Sequence, residues 1–178
     1  MVIYGSSVGS KDLKNLLDSS YDPSLLDEAR FEMDTALSTD GTKVFLDKEN
    51  NNKVYVAHMG TDGLADWKNN LVYAVGGSKA YKKTDRYKKA KKVQQKAENK
   101  YGATNITTVG HSQGGLQASL LGGKSNEIIT YNQATAPGVT LKQNANQTDV
   151  RTNKDAVSLF GVNKNKNNTY GIKTDTFN

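Results

Sequence analysis

The sequence has no cysteine and only two histidines among 178 residues. The first absence removes disulfide frameworks, thiolate metal knuckles and thiol nucleophiles from consideration. The second, with no histidine–carboxylate spacing beside it, leaves no donor set for a transition-metal site, so no metal or other cofactor is expected. No apolar run reaches the length of a membrane span, and no basic N-terminal segment is followed by an apolar stretch. These absences predict a soluble, cytoplasmic chain that does not use the Sec route. The length predicts one domain over residues 1–178, large enough to bury a core without covalent staples.

What is present is charge, unevenly placed. The formal net charge is +6, yet Lys79 to Lys100 holds ten cations against two anions, Asp85 and Glu98. That segment carries +8 and the remainder of the chain −2. Within it Tyr87, Ala90, Val93, Ala97 and Tyr101 recur at spacings of three and four, the signature of an amphipathic helix with an apolar stripe and cations outward. Tyr81 is the one aromatic expected outside that stripe. A pI near 9.3 raises nucleic-acid binding as a function class. Lysine-rich faces without arginines or exposed aromatics are ordinarily solvated helix surface, and the same face would suit an anionic membrane.

The rest of the chain alternates. Helical candidates fall at Lys11–Leu17 and Pro23–Arg30, the latter opened by Asp22 as cap and Pro23 at the first helical position. Lys43–Leu46 and Lys53–Ala57 read as strands joined into a hairpin by the polar turn 47–52. A helix is predicted over Leu64–Val75, ending at Gly76-Gly77, and the basic helix follows. A strand at Asn105–Val109, a small-residue helix to about Leu121 and a strand at Glu127–Tyr131 come next. Thr148–Thr152 and Thr169–Lys173 are further strand candidates. This rhythm predicts an α/β fold with a mostly parallel sheet covered by helices and a hairpin at its N-terminal side.

One motif carries chemistry. Gly110-His111-Ser112-Gln113-Gly114 matches G-x-S-x-G. In this arrangement a strand-to-helix turn is so tight that only small residues fit two before and two after the serine, and the strained turn lifts the serine hydroxyl above the sheet. Ile106-Thr107-Thr108-Val109 and the alanine–leucine run after Gly115 supply the strand and helix the turn requires. Ser112 is therefore the candidate nucleophile. Acyl transfer also needs donors for the developing oxyanion. The backbone N–H of Gln113 is one. Gly60-Thr61, at the end of the preceding strand, is the candidate second turn, with Thr61 offering an N–H and a hydroxyl; the same residues would equally cap a following helix.

Val56-Ala57-His58-Met59-Gly60-Thr61, followed by Asp66-Trp67 and Asn70-Leu71 and then by Gly110-His111-Ser112-Gln113-Gly114-Gly115, resembles the class 3 lipase family of α/β-hydrolases. The resemblance spans residues 42–160 and is similar to that of small lipase-like proteins of large DNA viruses, which would place the chain in host cytoplasm or a virion. It implies an α/β-hydrolase fold, an ester or lipid substrate, Ser112 as nucleophile, and Thr61 with Gln113 as the oxyanion hole. It also implies an acid just past the next strand. Asp155 is the first choice and Asp149 the fallback, although the family's proline after the acid is Ala156 here.

The triad order in this fold is serine, acid, histidine, and no histidine follows Asp155. Loss of that imidazole from a serine triad removes about a million-fold in turnover. Of the two histidines present, His111 occupies the packing position inside the motif, while His58 stands where the family has arginine and is the candidate substitute base. Three functions follow. One is a serine esterase or lipase whose base is His58, another chain or a C-terminal extension. The second is a lipase-fold module that binds lipid or protein without turnover. The third is nucleic-acid binding through the basic helix.

Overall fold

The computed structural model describes residues 9–60, 77–134, 144–152 and 169–172. Helix α1 (Ser10–Tyr21) leads through a 3-10 turn (Pro23–Leu25) into strand β1 (Phe31–Met33). The hairpin follows as β2 (Thr42–Asp47) and β3 (Lys53–His58). Then come α2 (Gly77–Tyr81), α3 (Asp85–Tyr101), β4 (Ile106–His111), α4 (Gln113–Leu121), β5 (Glu127–Tyr131), β6 (Gln147–Thr152) and β7 (Thr169–Ile172). The seven strands form one sheet in sequence order, antiparallel from β1 to β3 and parallel from β3 to β7. This is the expected α/β-hydrolase-like architecture. Asn51 and Asn52 take positive φ in the hairpin turn, a conformation that asparagine tolerates better than most residues.

Alternation along β3 divides the core into two layers. Tyr55 and Ala57 face α1, where Leu13, Leu16 and Leu17 pack at helical spacing beside Phe45, Val109 and Ile129. Val54 and Val56 face α3, whose Val93 and Ala97 close a second cluster with Val44 and Ile106. A sheet sandwiched in this way buries both faces, which is why β3 and β4 read as nearly continuous apolar or β-branched runs.

The basic segment is two helices rather than one. Thr84 accepts a hydrogen bond from the Tyr87 N–H and opens α3. The break at residues 82–84 turns Tyr81 inward, so that it is buried edge-on against Tyr87 rather than exposed. The second helical candidate is also shorter than its sequence suggests. The Asp27 carbonyl accepts from both Arg30 and Phe31, turning the chain so that Phe31 is buried and pairs opposite Asp47. Arg30 is thereby drawn between Asp12 and the fully buried carboxylate of Asp47. The helix predicted over Leu64–Val75 lies outside the described residues.

Candidate functional site

β4 ends in the turn that the G-x-S-x-G spacing demands. Ser112 has φ 55 and ψ −122, a region that costs a non-glycine residue about 1–3 kcal/mol. Its backbone is held on both sides. The Ser112 N–H donates to the Tyr131 carbonyl, and its own carbonyl accepts from Gly115 and Ala134. The flanking glycines are required by space. A Cβ on Gly110 would lie 2.1 Å from the Gly114 carbonyl oxygen, and one on Gly114 would lie 1.9 Å from that of His58. The tightness inferred from sequence is therefore a backbone-to-backbone contact between β3, β4 and α4.

Ser112 is partly exposed at the head of α4. Gln113 is buried, its side chain set with that of Gln117 beside the Tyr81 hydroxyl without forming a well-aligned hydrogen bond to it. What Gln113 can offer the site is its backbone N–H, which at the first helical position has no intrahelical acceptor. The positive end of the helix dipole adds to it. Gly60 lies directly alongside, since a Cβ there would stand 3.3 Å from that of Ser112 and 3.0 Å from the His111 carbonyl. The structure thus brings the end of β3 against the serine turn. Thr61 and Asp155 lie outside the described residues.

Two side chains fasten the Gly60 turn. The Tyr21 hydroxyl, at the end of α1, accepts from the Gly60 N–H at 3.0 Å and lies 3.2 Å from His111 Nδ1. The Arg86 guanidinium, from the first turn of α3, donates to the Gly60 carbonyl at 2.7 Å. Neither was legible as a site residue, because Tyr21 and Gly60 are 39 positions apart and Arg86 reads as one cation among ten.

His58 closes β3, two residues before Gly60. It is fully buried, with Nδ1 3.1 Å from the Thr42 hydroxyl and Nε2 2.9 Å from Gln94 Oε1. Gln94 continues the network by donating to Thr108. Desolvation lowers the His58 pKa to about 4, so the ring is neutral. Its two nitrogens are taken by partners other than Ser112, and the structure does not bring its ring to the serine hydroxyl. Asp149 is also buried, with Thr130 and Gln147 donating to its carboxylate. Gln147 in turn donates to Ser119 of α4, so among the described residues this carboxylate is engaged by Thr130 and Gln147 and not by Ser112.

A parallel sheet whose strand ends in a strained serine turn and feeds a helix defines an α/β-hydrolase-like protein. The chain belongs to the phospholipase-like family described as the Tle-like phospholipase domain, which matches residues 6–178. That family is lipase-like, which the motifs implied; class 3 and viral kinship are finer than the match carries. No curated protein and no solved structure matches the chain.

Proposed function

We propose that this protein is a phospholipid-directed serine hydrolase acting as one unit over residues 1–178. The strained turn that carries Ser112, inside a phospholipase-like chain, is the observation that carries this reading. Ser112 Oγ attacks an ester carbonyl of the lipid. The carbon becomes tetrahedral, and its oxygen takes the negative charge toward the Gln113 N–H, with the Thr61 N–H as the second donor. The alkoxy group then leaves as the alcohol and water releases the acyl group, returning the serine. Asp155 is the proposed acid. The cations of α3 would draw the protein to anionic membranes, each contributing about 1 kcal/mol near such a surface.

The proton of Ser112 needs an acceptor, and the engagement of both His58 nitrogens favours a second reading. In it, the fold binds lipid without turning it over. Labelling with a fluorophosphonate, beside hydrolysis of a short-chain phospholipid, separates the two. The hydrolase reading expects labelling and turnover that both vanish in Ser112→Ala. A wild type indistinguishable from Ser112→Ala in both assays leaves the binding module.

A further inference from the structure

A groove of about 710 Å³ runs between residues 36–42 and α3. Its floor is apolar, formed by Leu37, Met59, Ala90 and Val93. One rim is cationic. Arg86, Lys89, Lys92 and Lys96 all line it, against the single carboxylate of Asp40 on the other wall. Lys100, further along the same helix, is neutralised by Asp34. Among the described residues no carboxylate pairs with Lys89, Lys92 or Lys96, and all three are exposed. The Nε of Arg86 is buried without an acceptor, although its Nη2 is held by Gly60.

The groove adjoins the serine turn. Met59 forms part of its floor, and a Cβ on the next residue, Gly60, would stand 3.3 Å from that of Ser112. β3 and β4 are hydrogen-bonded neighbours, so the strand end that floors the groove lies beside the strand that leads into the serine turn. An apolar floor beside a cationic rim suits an amphiphile with an anionic head. Phosphate is a group that a guanidinium and adjacent ammonium groups recognise well.

We propose that this groove is the headgroup subsite for an anionic phospholipid and selects it over a zwitterionic one. The inference rests on the phospholipid-hydrolase reading above. The phosphate is held by Lys89, Lys92 and Lys96, and the glycerol backbone lies over Met59 toward Ser112. A choline headgroup would bring a fixed cation to a rim of four cations. A glycerol headgroup would not.

The test uses monomeric lipids, so that general attraction to a charged surface plays no part. Binding of dihexanoyl phosphatidylglycerol and dihexanoyl phosphatidylcholine to the Ser112→Ala protein is measured by calorimetry, below the micelle concentration of each. Phosphatidylglycerol is expected to bind at least tenfold more tightly. The Lys89→Gln/Lys92→Gln/Lys96→Gln variant should lose that preference and bind the two lipids alike. Equal binding of the two lipids, or an unchanged preference in the triple variant, overturns the proposal. So does inorganic phosphate or a single-stranded oligonucleotide binding as tightly as phosphatidylglycerol. Failure of Ser112 to label would instead count against the hydrolase reading, because headgroup binding is measured without turnover.

Discussion

The Tyr21 hydroxyl joins the last turn of α1 to the backbone of Gly60, 39 residues away, and also meets the ring of His111. One oxygen thus ties the N-terminal helix to both turns that flank Ser112. Tyr21→Phe keeps the ring and removes that tie. A neutral hydrogen bond contributes about 1 kcal/mol, and a loosened donor turn should cost the reaction about as much, which is about fivefold in rate. Fluorophosphonate labelling of Ser112 in Tyr21→Phe should therefore slow about fivefold with a small shift in melting temperature. Unchanged labelling would remove Tyr21 from the site.

Gly114 has no room for a side chain, because the atom in the way is the His58 carbonyl oxygen, part of a paired strand. Gly114→Ala should lose about 3 kcal/mol or more, the range of severe overpacking. Gly123→Ala is the control, since a Cβ there meets only Asn144 Oδ1 at 3.7 Å. Denaturant unfolding of both variants checks the contrast. Similar midpoints would mean that the turn yields more easily than this packing allows.

The strain at Ser112 makes a separate prediction. Ser112→Gly and Ser112→Ala both delete the hydroxyl, but only glycine is at ease at φ 55. Ser112→Gly should be the more stable of the two by about 1 kcal/mol, the lower end of the strain cost. A glycine variant less stable than the alanine variant would argue against a strained turn.

His58 sets a pH dependence. Its folded pKa is about 4 against 6.5 for the free side chain, so between those values the unfolded chain binds the extra proton. Stability is therefore full above pH 6.5 and falls as the pH drops toward 4. The gap corresponds to about 3 kcal/mol. His58→Gln should flatten this stretch of the stability–pH curve, measured by urea unfolding from pH 7 to 4. A variant as acid-sensitive as the wild type would assign the slope to other groups.

Most of the scaffold was legible because it is written in local pattern. The two hairpin strands, the strand before Gly110, the small-residue helix and the strand at Glu127–Tyr131 all announce themselves by periodicity. So does the serine turn, whose glycine spacing answers to a clash between neighbouring backbones. The strand Phe31–Met33 was not anticipated. Three residues carry too little alternation to read, and their conformation follows from pairing with β2. The break between α2 and α3 was missed for a related reason, since the cap at Thr84 interrupts a run of lysines that looks continuous.

By itself, the sequence determined that a serine would be raised on a glycine-bound turn between a strand and a helix, and that residues 156–178 supply no histidine. Those are matters of residue identity and near-neighbour sterics. Only the tertiary structure decided the role of His58, because burial and the reach of Thr42 and Gln94 from other elements determine where its ring nitrogens point. It also decided that Tyr21 and Arg86 converge on Gly60 and that α3 faces residues 36–42 across a groove. Contacts between residues dozens of positions apart are set by how helices pack across a sheet, and no local pattern records them.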